Sequence, residues 1–346
     1  MGQLGCFRLV VATRRSPRAR QSKTRGAIIA AAECRSPGRA LSRWRIPIRL
    51  VRVTLWFFAF VVTGAPQLAA RPPAADVKSW TEPLNPFHIV GPIYYVGTRG
   101  LGVYLIATPA GHILLNGATP GTAPLIEASI RKLGYQPRDI KILLISHAHT
   151  DHVGTLADIK RLTGAQVEVM NAEVELLKSG GAKDYLFAKD AKFHFAPVGT
   201  DRVLKDGDTV SLGGIELTAR LTPGHTRGTT TWITTVEEAG HSYQVVFLDG
   251  TGINPGTRFV KNPSYPGIAD DYRRTFAFLA TLHPDIYLGY HAESFDLEYK
   301  SARAATEGVK AWVDPDGYRR RIVEQSANFE KLVAQESTGG RSRTAP

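Results

Sequence analysis

The side chains with the most obvious chemistry lie in one stretch of this 346-residue chain, Ile145-Ser146-His147-Ala148-His149-Thr150-Asp151-His152. Three imidazoles and a carboxylate so close together are the donor types that hold zinc and related divalent ions. In extended chain alternate side chains point the same way, so His147 and His149 can share one ion. Asp151 and His152 are adjacent and diverge, but at the start of a following helix they can face a second ion. One segment cannot close two tetrahedral shells, so further donors must arrive from distant loops. His225 stands on a glycine-bounded turn, Thr222-Pro223-Gly224-His225-Thr226-Arg227-Gly228, and His291 falls just past a strand in Leu288-Gly289-Tyr290-His291. The other five histidines (His88, His112, His194, His241 and His283) lack such settings and read as structural.

These donors need a scaffold, and the hydrophobic pattern supplies one. Short strands are expected at 93–96, 103–107 and 113–115, separated by Gly and Pro. A helix is expected over 123–133, with Thr122 as N-cap and Gly134 past its end. The continuous apolar run 140–145 reads as a strand buried on both faces, leading straight into the His cluster. A helix over 154–162 with Gly164 as its stop follows, then strands at 167–170, 209–212, 215–221, 229–235 and 243–248. Residues 270–282 read as a helix, 286–288 as a strand, and Asp314-Pro315 starts a last amphipathic helix to about Leu332. Residues 179–198 carry no assignable pattern. Helices between groups of strands suggest layered sheets covered by helices.

The net charge of +12 suggests a polyanion-binding protein until it is divided by position. Residues 1–52 hold 13 basic residues and one acid, Glu33, and so carry the whole excess. The rest of the chain has 30 residues of each sign, which removes the main support for nucleic-acid binding. Both cysteines, Cys6 and Cys34, fall in the same extension, so the body has no disulfide framework, thiol nucleophile or Cys-ligated metal. The uncharged run Val53–Val62 follows Arg45, Arg49 and Arg52 and precedes Ala69-Ala70, the order of a secretory signal over 53–70. Ten residues rise only about 15 Å as a helix, half a hydrocarbon core, so no stable membrane span is expected after processing. The expected address is periplasmic or secreted. Residues 1–52 are long and Arg-rich for a signal, and no Met separates Met1 from Met170. A mis-assigned start, with initiation near Val51, accounts for both. Residues 71–85 read as a Pro-rich linker, 86–334 as the functional domain and 335–346 as a disordered tail.

His147-x-His149-x-Asp151-His152 followed in order by Pro-Gly-His225 and His291 resembles the metallo-β-lactamase superfamily, from about Pro86 to Leu332. Flanking motifs, among them Ser146-His147-Ala148-His149, Asn262-Pro263-Ser264-Tyr265-Pro266 and Asp314-Pro315-Asp316-Gly317-Tyr318-Arg319, resemble subclass B3 most. The resemblance implies an α/β fold, an αββα sandwich, with two Zn²⁺ ions at the sheet edge. His147, His149 and His225 would hold the first zinc; Asp151, His152 and His291 the second. Asp151 would also orient the hydroxide that opens a β-lactam ring of a penicillin, cephalosporin or carbapenem, a route to antibiotic resistance. Where B3 enzymes often have serines near the substrate carboxylate, this chain has glycines in Asp249-Gly250-Thr251-Gly252-Ile253-Asn254, which leaves Thr251 and Asn254 as candidate contacts to this small-molecule substrate. Asp249 raises an alternative. Lactonases and thioesterases of this fold place a metal-bridging Asp at the end of the same strand, although Asp249 stands one residue early for that role, and a structural bond to the loop is its other reading.

Overall fold

Strands buried on both faces build the first sheet of the computed structural model, which describes residues 77–339. Seven strands follow in chain order: β1 (Phe87–Val90), β2 (Ile93–Tyr95), β3 (Tyr104–Thr108), β4 (Gly111–Leu115), β5 (Ile140–Leu144), β6 (Gln166–Met170) and β7 (Arg202–Leu204). The first four pair antiparallel and the rest parallel. The second sheet has β8 (Thr209–Leu212), β9 (Ile215–Leu221), β10 (Thr230–Glu238), β11 (His241–Phe247) and β12 (Ile286–Leu288), in the order β12-β11-β10-β9-β8. Helices are α1 (Ala123–Lys132), α2 (Thr150–Val153), α3 (Leu156–Thr163), α4 (Val174–Lys178), α5 (Ile268–Leu279), α6 (Leu297–Glu307) and α7 (Pro315–Gly339).

Successive residues of one strand face different layers. Ile113 and Leu115 of β4 join the cluster between the sheets with Trp232 and Val245, whereas Leu114 joins Ile126 and Ile130 of α1 and Leu156 and Ile159 of α3. On the other side, Tyr272 and Phe276 of α5 and Phe329 of α7 pack in the cluster that holds Phe247 and Leu288. The result is the αββα sandwich. As expected for a strand buried on both faces, β5 sends Ile142 and Leu144 inward and Leu143 outward.

Several elements differ from the sequence reading. The helix expected over 154–162 is α3, which begins two residues later at Leu156 and runs to Thr163; the separate short α2 precedes it, and between them Gly154 lies so close to Pro120 that a Cβ there would meet it at 2.3 Å. Strands β1 and β7 and helices α4 and α6 have no counterpart in the sequence reading. The helix expected to end near Leu332 runs to Gly339, so the first part of the supposed disordered tail is ordered; Glu336 Oε2 accepts from the Phe259 backbone N–H at 2.7 Å and gives its last turns a tertiary partner. Part of the supposed linker is a 3-10 turn, Val77–Thr81, which places Trp80 beside His291 with ring centroids 5.6 Å apart. The basic extension, the apolar run 53–62 and the site after Ala70 lie outside the described residues. Among the described residues, no helix is long and apolar enough to cross a membrane.

Two bonds join the sheets where the His cluster begins. The buried Trp232 of β10 donates Nε1–H to the Ile145 carbonyl at 2.9 Å, and Thr230 N–H donates to the Ser146 carbonyl at 2.7 Å. They set the end of β5 against the start of β10, close to the His225 turn. Trp232→Phe leaves the Ile145 carbonyl without this donor and a gap in a filled core, and is expected to cost about 2–4 kcal/mol in denaturant unfolding.

Candidate metal centre

The His cluster leaves β5 in extended backbone, with His149 at φ −98° and ψ 156° as N-cap of the short α2. Asp151 and His152 then lie in the first turn of that helix. His225 comes from the turn between β9 and β10. Gly224 has φ +132°, and any Cβ there would lie 2.7 Å from the ring of the buried Tyr272, so only glycine lets the turn approach. His291 follows β12 and pairs with Leu101 in an isolated bridge, supported by Gly102 N–H donating to the Tyr290 carbonyl at 2.8 Å.

The structure brings all six predicted donors together as two triads. His147, His149 and His225 form one; Asp151, His152 and His291 form the other, with the donor atoms of each triad within 4.8 Å of one another. Asp151 Oδ2 lies 3.3 Å from His152 Nε2 and 3.4 Å from His291 Nε2, and His149 Nδ1 lies 3.1 Å from His225 Nε2. The five histidines read as structural stay outside both triads.

Three of the five rings are aimed by an acceptor that holds the other nitrogen. His147 Nδ1 meets Asp249 Oδ2 at 2.6 Å, His149 Nε2 meets Asp184 Oδ2 at 3.1 Å, and His225 Nδ1 meets the Gly252 carbonyl at 3.0 Å. Carboxylate and carbonyl partners of this kind fix the tautomer and raise the basicity of the free nitrogen. His152 Nδ1 faces the Asn116 amide at 3.0 Å. Asp249 therefore stands behind His147 and in neither triad, and its second oxygen accepts from Gly250 N–H at 2.7 Å. It combines the loop bond expected for it with a role in aiming a donor.

Glu173 ties two of the contributing loops together. Its buried carboxylate accepts from Ala148 N–H at 2.7 Å, Thr226 Oγ1–H at 2.6 Å and Gly228 N–H at 2.9 Å. Burial nevertheless pushes its pKa up. Sequence reasoning missed Glu173, Asp184 and Asn116, each a single polar residue in unremarkable surroundings. Asp184 belongs to the unassignable segment 179–198, which folds as turns and carries Asp184 and Phe187 to the cavity wall.

The electrostatics leave most rings ready to donate. Burial drives His147 well below its ordinary pKa and lowers His225 to about 4, with the neighbouring imidazoles adding to both shifts. His149 is raised: burial works against its charge, but the bond to Asp184 and that group's charge outweigh it. Burial also opposes ionisation of Asp151, yet the imidazoles of His152, His291 and His147 hold its pKa well below the usual carboxylate range. The buried Nε2 of His147 has no hydrogen-bond partner. Such an atom is costly unless something accepts its lone pair. A divalent ion among the three imidazoles meets that need, so the donor chemistry fits two borderline metal ions.

The two triads open into a cavity of about 370 Å³, whose wall includes Trp80, Phe187, Tyr290 and both anticipated contacts, Thr251 and Asn254. A two-sheet sandwich with paired metal-donor triads at one end defines a class of metal-dependent hydrolases. The chain belongs to the metallo-beta-lactamase superfamily, whose family model matches residues 102–291. Among solved structures it is similar to the native FEZ-1 metallo-beta-lactamase from Legionella gormanii, at 43% identity and a TM-score of 0.73, covering 75% of this chain and 98% of that one. BJP-1, a subclass B3 metallo-beta-lactamase of Bradyrhizobium japonicum, matches at 37% identity and TM-score 0.71, covering 76% and 98%. Among curated proteins, a hydroxyacylglutathione hydrolase of Rhodopseudomonas palustris is 29% identical over 149 residues, 43% of this chain and 49% of its own. A probable metallo-hydrolase of Burkholderia pseudomallei is 30% identical over 102 residues, 30% of this chain and 34% of its own. The chain thus spans a third to a half of the length of these curated relatives.

Asp249→Ala removes the acceptor behind His147 without touching a triad. It is expected to weaken binding of the first metal about 10- to 100-fold in chelator competition while the second changes far less.

Proposed function

We propose that this protein is a zinc-dependent β-lactamase of the B3 type, hydrolysing the cyclic amide of penicillins, cephalosporins or carbapenems. The observation that carries the reading is the second triad, Asp151, His152 and His291, completed by histidine in a body without cysteine and set beside an all-imidazole first triad. Support comes from likeness to solved B3 enzymes over nearly their whole length. Residues His147, His149 and His225 would hold one Zn²⁺ and Asp151, His152 and His291 the other. Zinc there would supply Lewis acidity toward the amide and a water acidic enough to attack at neutral pH.

The chain's own residues do the rest. Asp151, kept ionised, offers a carboxylate oxygen that orients the attacking water and accepts its hydrogen bond. Asp249 and Asp184 hold the first-triad rings still, so no reorganisation is needed when charge develops. Phe187 and Trp80 give the cavity apolar wall against which the non-reacting part of a substrate can lie. Export of this activity to the periplasm or medium is part of the proposal, on the strength of the basic stretch, apolar run and Ala69-Ala70. Sequencing the N-terminus of the mature protein checks it, and a start near Arg71 is expected.

The similarity to hydroxyacylglutathione hydrolases favours a second reading, a thioesterase or lactonase using the same two metals. Weighing against it, Asp249 is bonded to an imidazole and to its own loop and belongs to neither triad.

The purified protein is expected to hydrolyse a chromogenic cephalosporin and a carbapenem, to lose both activities on chelation, and to regain them with zinc. Turnover of a glutathione thioester or an acyl lactone with no turnover of any β-lactam would sink the proposal in favour of the second reading. Asp151→Asn is expected to lower kcat by about 100-fold or more in the same assay.

A further inference from the structure

Arg321, on the second turn of α7, lines the same cavity as the two triads, whose wall also includes His291, Glu293 and Ser294. Tyr318 and Ile322 of that helix turn into the core and draw Arg321 half inside with them. Other arginines of the same region find carboxylates: Arg319 pairs with Asp316, Arg273 with Asp270 and Glu330, and Arg303 with Glu307. Arg321 has no hydrogen bond and no ion pair among the described residues. Glu293, Asp296 and Asp249 act on it only through longer-range attraction, while burial works against its charge.

A guanidinium carries five N–H donors and keeps its charge, and desolvating it with no donor used is unfavourable. Two more donors on the same cavity wall are also unused: Asn254 Nδ2 and the Tyr290 hydroxyl, both buried without a partner. Idle donors around one cavity, one of them a fixed cation, suit a ligand that brings anionic oxygens. The loop after β11 offers no side-chain donor at Gly250 or Gly252, and its Asn254 amide is neutral, so the cavity's fixed positive charge comes from Arg321 on α7.

We infer that Arg321 recognises a carboxylate on the substrate and confines this site to anionic substrates. The inference rests on the hydrolase reading above and deepens it. A bicyclic β-lactam carries its carboxylate on the carbon attached to the ring nitrogen, so the anion lies just beyond the bond that breaks. With the nitrogen toward Asp151, His152 and His291, that carboxylate falls within the cavity whose wall also carries Arg321. A planar guanidinium meets a carboxylate through two parallel bonds, a geometry a lysine ammonium does not reproduce. A neutral acyl lactone offers nothing to this group.

The test uses the zinc-loaded full chain, its R321A and R321K variants, and a cephalosporin with its methyl ester. For the free acid, R321A is expected to raise KM by about 10- to 100-fold with kcat within a few-fold of wild type, and R321K to recover part of the loss. For the ester, wild type and R321A are expected to share one high KM. Unchanged zinc content of R321A, by elemental analysis, shows that the site itself is intact. Tryptophan fluorescence of chelated protein titrated with benzylpenicillin and its methyl ester reads binding without turnover. Here wild type is expected to prefer the acid and R321A to show no preference. An acid-over-ester preference undiminished in R321A, in either measurement, overturns the role of Arg321. Absence of any β-lactam turnover sinks the hydrolase proposal alone; in that case the acid preference in binding still judges Arg321, and a wild type without it overturns this inference too.

Discussion

Ring orientation is the constraint on which this site depends. A metal-binding imidazole must present one nitrogen as a lone pair, and that is settled by what the other nitrogen meets. Three of the five cavity imidazoles meet an acceptor from a separate element: Asp249 after β11 for His147, Asp184 from the turns after α4 for His149 and the Gly252 carbonyl for His225, while the Asn116 amide nitrogen after β4 packs on His152. Because those partners belong to different parts of the sandwich, the donors converge only when both sheets are correctly placed. Burial adds to the effect by disfavouring the charged rings, so that lone pairs face the cavity before any ion arrives.

The sandwich meets this demand with few connections, each made close to the chemistry. Trp232 and Thr230 fasten the second sheet to the two residues just before His147. Glu173 joins Ala148 in the His cluster to the turn that carries His225. Tyr272 donates its hydroxyl to the Gly252 carbonyl at 2.7 Å, the same carbonyl that receives His225, and stacks on Phe329 with ring centroids 5.2 Å apart. The packing of α7 on α5 thereby reaches the first triad through two contacts. The same helix presents Arg321 to the cavity, so the element that completes the core also shapes which substrates the cavity can hold.

Function in this family is divided between a shared centre and variable walls. The triads, their supporting carboxylates and the ionised Asp151 make hydrolysis of an activated acyl group chemically accessible, and they do not by themselves select among an amide, a thioester and a lactone. Selection falls to the surrounding residues, where this chain has glycines at 250 and 252, apolar rings at Trp80 and Phe187, and an unpaired cation at Arg321. Position 249 illustrates the distinction: a carboxylate there could serve metal bridging or ring orientation, and here it is bonded to His147 Nδ1.

All six donors were legible in the sequence, because metal chemistry restricts them to few residue types and places them where strands end. The β5 run, the glycine before His225 and the strand before His291 were legible for the same reason: a buried strand and a tight turn both impose local patterns. The carboxylates behind the rings were not. Asp184 and Glu173 are single polar residues whose roles exist only across long chain separations, and nothing local distinguishes them from solvated acids. Arg321 has the spacing of an ordinary helix residue. Its exposure and its lack of a partner are properties of packing, settled when α7 meets the cavity wall. Local chemistry thus determined which atoms can bind metal, and only the tertiary structure decided how they are aimed and what stands opposite them, because hydrogen bonds and burial depend on neighbours that the linear order does not contain.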